Sequence, residues 1–330
     1  MPIIKLSKKN FFFNLDQIVQ KTGSVERVAL VLKDNAYGHG ICEIAEMASE
    51  YGITKAVVRS NAEALEVEQF FEYILVLAEV PKEVSKKIRY TINDMQSISK
   101  FPKGSLVELK VNSSMNRNGI SMSQLQDSIA TIAAQGLVLE AIFTHHSCAD
   151  ELGMQYKRQC ENFELIKKEA PDGLRFHSCN SAALARCEVF DEDMVRVGIA
   201  AYGCLEMPKS LPSLQQKPLL SLEAQSISSR VLEAGDTVGY GATFRAASKM
   251  VVSNYDFGYG DGFLRSCSNH YVTPEGIAIA GRISMDNSSF ISQKESLLIF
   301  DDARVVAKVA GTISYEVLTS LKPYIKRQIV

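Results

Sequence analysis

The sequence predicts an α/β fold: an N-terminal (β/α)8 TIM-type barrel followed by a smaller, mainly β C-terminal domain. Three observations predict it. From the N-terminus to Tyr202, short β-branched apolar runs alternate with helical patterns. Chemically unusual residues fall at the C-terminal ends of those runs, where barrels do their chemistry. Past Tyr202 the alternation stops, and short runs separated by Gly and Asp turns take over.

In chain order, the expected barrel strands are Val28–Leu32, Ala56–Val58, Ile74–Leu77, Tyr90–Ile92, Leu106–Val111, Leu139–Thr144, Leu174–Ser178 and Met194–Val197. Helical patterns lie between them at Gly40–Glu50, Asn61–Phe71, Pro81–Arg89, Ser121–Ala134 and Glu151–Lys168. Pro81 suits a first helical turn, and Asn61 and Ser121 are plausible N-caps. Pro208, Pro212 and Pro218 mark a linker from Glu206 to Pro218. Strand-like runs follow at Leu219–Ser226, Thr237–Tyr240, Met250–Tyr255, Gly276–Arg282, Ser296–Phe300 and Arg304–Val309. The expected division is a barrel over 1–213 and a β domain over 214–330, with residues 1–8 (through the run IIKL) lending the latter an extra strand.

Composition narrows the function. The 330 residues are 46% hydrophobic and 22% charged with net charge -2, enough for a large core and without the basic excess of a nucleic-acid binder. No window approaches the length of a membrane span, and the N-terminus lacks a signal-peptide pattern. Seven cysteines without CxxC spacing point to reduced thiols in a cytoplasmic protein, not to disulfides or a metal site.

The most informative stretch is VALVLKDNAYGHG, Val28 to Gly40. An end-of-strand lysine usually snorkels into solvent. Here a buried-type strand delivers Lys33 to the barrel mouth, with Tyr37 and backbone amides just beyond it. A lysine amine can form a Schiff base with an aldehyde, and the residues after it can hold a phosphate. That pairing suggests pyridoxal 5'-phosphate (PLP). Lys110, His145, Asn180-Ser181 and Gly198-Ile199 also fall at or near strand ends, and phosphate commonly binds the last two barrel loops.

Ordered motifs then run the length of the chain: KDNAYGHG (33–40), ELKVNSSMNRNG (108–119), IFTHHSCADE (142–151), HSCNSAA (177–183), MVRVGIAAYG (194–203), VGYGATFR (238–245), FGYGDGFLR (257–265), AGRISMD (280–286) and GTISYEV (311–317). Together they resemble the alanine racemases, PLP enzymes of fold-type III. The resemblance implies a homodimer with shared active sites that interconverts L- and D-alanine, supplying D-alanine for peptidoglycan. It implies PLP on Lys33, with Lys33 as the base on one face of the substrate α-carbon and Tyr240, from the partner subunit, on the other. A free phenol titrates near 10, so such a base needs cations and hydrogen bonds around it.

By the same resemblance, Arg196 faces the pyridine nitrogen, His177 supports Arg196, and His145 stacks on the ring. Tyr37, Asn180, Ser181, Gly198, Ile199 and Tyr315 hold the cofactor, chiefly its phosphate. Arg117 and the Met285 amide meet the substrate. Lys110 matches a lysine that many members carbamylate; the alternative is an unmodified lysine held by Glu108 or an anion. Asp150, Tyr259, Arg265 and Arg282 match a gate on the access channel. The chain departs from the usual pattern at Asn112, Ser113-Ser114, His146, Val197, Gly239 and Ser284, which bears on pocket shape. A broad-spectrum amino-acid racemase, or a non-catalytic PLP carrier, are the alternative readings. A decarboxylase of this fold type would pair the ring nitrogen with a carboxylate, where this chain offers Arg196.

Overall fold

The computed structural model describes all residues, Met1–Val330. The first strand, β1 (Ile3–Leu6), does not join the barrel. Ser7 then caps the helix Lys8–Thr22, its hydroxyl accepting from the Asn10 amide at 3.3 Å. The barrel strands follow as β2 (Val28–Val31), β3 (Lys55–Val58), β4 (Tyr73–Val76), β5 (Ile88–Ile92), β6 (Leu106–Lys110), β7 (Val138–Phe143), β8 (Arg175–His177) and β9 (Val195–Val197).

These 8 strands pair in parallel in the order β8-β7-β6-β5-β4-β3-β2-β9. Backbone bonds from the Asp193 amide to Phe176 O (3.1 Å) and from the Arg196 amide to Cys179 O (3.0 Å) bridge the flanks of β8 and β9 and bring the ring round. β2 and β4 are buried at every position, as expected of parallel strands covered on both faces.

Most expected helices form, at Ile41–Tyr51, Asn61–Val67, Leu125–Ala134 and Gln155–Glu169. Ser121 caps as expected, in a capping box with Gln124. Asn61 does not; Ser60 is the cap, and the Asn61 side chain instead bonds Tyr90 and the Val80 carbonyl. Pro81–Arg89 is not a helix. The Ser85 hydroxyl accepts from the amides of Lys87 (3.0 Å) and Ile88 (3.2 Å), a local turn that competes with helix. Ile88 is also claimed by the sheet, in register with Ile74. The β5-to-β6 crossover likewise has only a 3-10 turn, Met95–Lys100.

After the linker comes β10 (Leu220–Leu232), then β11 (Thr237–Val238), β12 (Phe244–Arg245), β13 (Met250–Tyr255), β14 (Ser288–Phe290) and β15 (Ser296–Phe300). Helices Ala303–Ala310 and Ser314–Ser320 precede the last strand, β16 (Lys326–Ile329). β10 organises this sheet. Its first part pairs with β1 and β15, and its second, from Ser226 onward with a bulge between Ser226 and Ser228, pairs with β13. β1 therefore belongs to the C-terminal sheet, between β10 and β16.

Three strand expectations in this region need correction. Arg304–Val309 is helical: Asp302 caps it, and Ala303, Val306 and Ala307 bury one helical face. Gly276–Arg282 makes only isolated bridges, Val272 with Ala278 and Ile279 with Phe290, because the Thr273 hydroxyl and carbonyl tie the Ile277 and Gly276 amides into a turn. The run Thr237–Tyr240 stops at Val238, where Gly239 at φ 70° redirects the chain so that Tyr240 opens a 3-10 turn. One apolar core is continuous from barrel to β domain, and no helix is long and apolar enough to cross a membrane. All seven cysteines are free.

Candidate active site

β2 carries Lys33 to the C-terminal mouth of the barrel. The next four residues, Asp34, Asn35, Ala36 and Tyr37, all take φ between 50° and 56°, a single left-handed helical turn. Each such residue is disfavoured by roughly 1–2 kcal/mol for an L-amino acid, so the surroundings must hold the turn. The Ala36 amide donates to Leu32 O (2.8 Å), Asn35 Oδ1 accepts from the Ile41 amide (2.8 Å), and Glu63 accepts from the Asp34 amide (2.7 Å). Asp34 also pairs with Arg59 at 3.0 Å.

The turn brings Tyr37 against the last barrel loop and the C-terminal helices. Its ring lies 5.3 Å from that of Tyr202 and 5.7 Å from that of Tyr315. A Cβ added at Gly198 would sit 2.8 Å from the Tyr37 hydroxyl oxygen, so only glycine admits this approach. Burial raises both Tyr37 and Tyr315, with their mutual proximity adding to the effect on Tyr37, so both phenols stay protonated donors. Asn180 caps the short helix Ser181–Arg186 by accepting from the Ala183 amide (2.9 Å). Ser181 Oγ accepts from the Gly198 (3.2 Å) and Ala200 (3.3 Å) amides.

These groups line a cavity of about 570 Å³. Of the residues singled out in the sequence, Lys33, Tyr37, Lys110, Arg117, His145, Asp150, Asn180, Ser181, Arg196, Gly198, Ile199 and Tyr315 all line it. His177 lies beneath, fully buried. Arg196 is held from four sides: Nη1 donates to His177 Nδ1 and to its carbonyl (3.0 Å), and Nη2 donates to the carbonyls of Thr144 (2.6 Å) and Ser178 (3.1 Å). With Nδ1 accepting, the His177 proton is on Nε2, which donates to Glu108 at 2.9 Å.

Glu108 is therefore not the partner of Lys110. Its other oxygen accepts from the Tyr73 hydroxyl and from Arg175 (3.3 Å). Burial alone would raise Glu108, but His177, Arg175 and Tyr73 outweigh it and hold the carboxyl below its usual range. Two residues along the strand, Lys110 has no carboxylate partner. Burial, then the charges of Arg196, Arg117 and Lys33, push it down to about 8. Burial and the Arg196, Lys110 and Arg117 charges hold His145 well below 6.5, so its imidazole is neutral.

The two ends of the barrel thus differ in charge balance. At the N-terminal end, Arg89 and Arg175 meet Glu140 at 2.9 and 3.0 Å. At the C-terminal end, Lys33, Lys110, Arg117 and Arg196 share a cavity whose carboxylates are Asp34, already paired, and Asp150, on the exposed rim. An excess of cations beside hydrogen-bond donors fits an anionic ligand.

The remaining predicted site residues lie elsewhere. Tyr240 (67% exposed) and Met285 (57% exposed) do not line the cavity, nor do Tyr259, Arg265 and Arg282. The β domain instead gathers them at its surface. The Tyr259 amide donates to Ser284 O (3.0 Å), and Gly260 donates to Met285 O (2.7 Å). A Cβ at Gly241, beside Tyr240, would come within 2.9 Å of the Arg282 guanidinium. Ser268, bonded to Arg265 O (2.6 Å), accepts from the Ile283 amide (3.1 Å).

Glu108 entered the sequence reading only as a possible holder of Lys110, and its place behind His177 and Arg196 was not assigned. The signal was a carboxylate two positions before Lys110 in an apolar strand, which alternation turns inward. The Asn112 departure is mild: its Oδ1 accepts from the amides of Ser114 (3.1 Å) and Asn116 (2.9 Å), the acceptor role an aspartate would fill.

A parallel barrel with a lysine at its mouth, a cation-rich cavity and an attached β domain has the architecture of a barrel enzyme suited to an anionic ligand beside a lysine amine. The family profile "Alanine racemase, N-terminal domain" matches residues 6–206, and "Alanine racemase, C-terminal domain" matches 219–329. The chain belongs to the alanine racemase family. It is 43% identical to an alanine racemase of Campylobacter curvus over 100% of both chains. It is 38% identical to the alanine racemase of a Nitratiruptor species over 99% of each. Among solved structures, the alanine racemase of Clostridium difficile 630 superposes with a TM-score of 0.90 at 26% identity, covering 99% of this chain and 95% of that one. That of E. faecalis gives 0.90 at 25% identity, covering 99% and 97%.

Proposed function

We propose that this chain interconverts L- and D-alanine, with PLP held in the barrel cavity and proton transfer by two bases, Lys33 and Tyr240. The observation that carries the reading is Lys33 at one wall of a cavity whose cations have no carboxylate partner and whose far end offers phenol, hydroxyl and backbone donors. Tyr37, Asn180, Ser181, Gly198, Ile199 and Tyr315 would hold the phosphate end. His145 would lie along the ring and Arg196 would face its nitrogen. Bound there, PLP would supply the electron sink that acidifies the substrate α-carbon.

Arginine keeps its proton in practice, so Arg196 would leave the ring nitrogen unprotonated. His177 and Glu108 fix its guanidinium. A weaker sink favours prompt return of the proton to the α-carbon, the outcome racemisation needs. Lys33 takes or returns the proton on one face of that carbon, and Tyr240 serves the other. Arg117 and the Met285 amide would orient the substrate carboxylate, and Asp150, Tyr259, Arg265 and Arg282 would line the approach.

Because Tyr240 and Met285 are exposed and outside the cavity, the reading requires a homodimer in which each β domain completes the partner's site. Ile227 (59%) and Val231 (60%), exposed on the outer half of β10, support a covered surface there. Lys110 is read as carbamylated: a neutral amine fraction is available near pH 8, and the carbamate would give Arg117 and Arg196 an anion. Intact mass in bicarbonate tests this, with 44 Da the expected gain. Reduced cysteines support a cytoplasmic site of action.

The test of function is D-alanine formation from L-alanine by the PLP-loaded protein. Steady conversion to a near-equal mixture is expected; no D-alanine would refute the reading.

A further inference from the structure

Cys179 and Cys187 flank the helix Ser181–Arg186, one before its cap and one at its end. Their sulfurs are 3.6 Å apart. A disulfide needs about 2.05 Å, so an approach of about 1.5 Å would join them. Cys179 is 5% exposed, whereas Cys187 is half-buried and followed by the exposed residues Glu188 and Val189. The hydrogen bond from Cys179 holds the Cys187 thiol below its ordinary value, while the same contact and burial raise Cys179. An accessible thiol with stabilised thiolate beside a shielded second thiol is the arrangement of a reactive and a resolving cysteine.

We propose that Cys179 and Cys187 form a peroxide-driven, dithiol-reversible disulfide that loosens the phosphate end of the cavity. The Cys187 thiolate attacks one oxygen of hydrogen peroxide; the O–O bond breaks and hydroxide leaves, taking a proton to become water. The Cys179 thiol then attacks the Cys187 sulfenic sulfur and expels a second water. Two thiols and one peroxide become one disulfide and two waters. A dithiol reductant reverses the change and is itself oxidised to a disulfide.

Cys179 is placed to transmit the closure. It directly precedes Asn180, which caps the helix, and its carbonyl accepts from the Arg196 amide at 3.0 Å. The preceding carbonyl, Ser178 O, holds Arg196 Nη2 at 3.1 Å. The Ser178 and Cys179 amides are pinned to Glu192 at 2.5 and 3.1 Å, so the Cys179 backbone resists and the adjoining short helix must adjust. This consequence for the cofactor rests on the assignment of Asn180, Ser181 and Arg196 made above; the cross-link itself does not.

The test treats the PLP-loaded full-length protein with hydrogen peroxide, blocks remaining thiols and maps tryptic peptides. Cleavage after Arg175, Arg186 and Arg196 puts the two cysteines on separate peptides, so their joining is unambiguous. The expected result is a 2 Da loss with peptides 176–186 and 187–196 linked, released by dithiothreitol and absent in Cys187→Ser. In Cys179→Ser, dimedone should trap a sulfenic acid at Cys187. Cofactor release, followed by absorbance in the absence of substrate, should quicken at least threefold on oxidation and be unchanged in Cys187→Ser. No linked pair, or a link from Cys187 to any other cysteine in its place, would overturn the disulfide. A linked pair with unaltered cofactor release would overturn its effect on the cavity. Failure to bind PLP before any oxidation would instead refute the cofactor assignment.

Discussion

The barrel side and the β-domain side of the proposed catalytic machinery are built in opposite ways. On the barrel side, Arg196 has each contact fixed, His177 and Glu108 are fully buried, and Lys33 follows a strand with no exposed residue. On the β-domain side, Tyr240 and Met285 stand in solvent on turns braced by neighbouring backbone. The first is a cation-rich cavity with its side chains already held in place. The second has its scaffold but no cavity. On the proposed reading, the difference teaches that one chain carries both halves of a site without assembling them.

The comparison can be broken or sharpened by substitution. The largest effect belongs to Lys33→Ala, which would remove both the proposed cofactor attachment and one of the two proposed bases. D-alanine formation should fall by roughly 10⁴-fold or more. Tyr240→Phe should leave the cofactor in place and cost roughly 10²–10⁴-fold. It should also stop solvent deuterium exchange for one enantiomer more severely than for the other. Equal loss with both enantiomers would contradict a single-face role.

Gly198→Ala tests the barrel side alone. The added carbon meets the Tyr37 hydroxyl at 2.8 Å, so the ring must move off the end of the cavity proposed to hold the phosphate. Retention of PLP on dialysis should weaken by about 10- to 100-fold, the worth of one hydrogen bond to a charged group. Dimer mass should not change.

The smallest effect concerns Lys110, whose folded-state value near 8 lies below the ordinary 10.5. Between these values the unfolded chain keeps a proton that the folded chain has shed, so stability rises with pH across that window. Below it the charged lysine destabilises the fold in full. In carbon dioxide-depleted buffer, wild type should gain on the order of 2 kcal/mol relative to Lys110→Met between pH 8 and 10.5. Urea denaturation at several pH values measures it. A parallel course for the two proteins would show Lys110 uncoupled from its cationic neighbours.

The sequence disclosed most of this where local pattern and long-range structure agree. The buried run before Lys33, the Ser121 cap and the IIKL strand were legible because burial or capping fixes them locally. Pro81–Arg89 misled because proline and charges suit a helix start, while the Ser85 turn and the Ile74–Ile88 register decide the outcome. Arg304–Val309 misled because a short valine run reads as strand until Asp302 and the buried Ala303, Val306 and Ala307 reveal the helix. The left-handed turn after Lys33 was illegible: Asp34, Asn35, Ala36 and Tyr37 adopt it only because Glu63, Arg59 and Ile41 hold it. The Glu108–His177–Arg196 chain joins three strands, and spacing along one strand cannot declare such a contact.

The central claim is that Tyr240 acts across the dimer. Co-expressing Lys33→Ala and Tyr240→Phe subunits under different tags, then purifying the mixed dimer, tests it most directly. If each β domain serves its partner, one site combines the intact Lys33 with the intact Tyr240, and the mixed dimer should recover about half of wild-type activity. If Tyr240 serves its own barrel, every site carries one defect, and a mixed dimer no more active than its inactive parents would contradict the account.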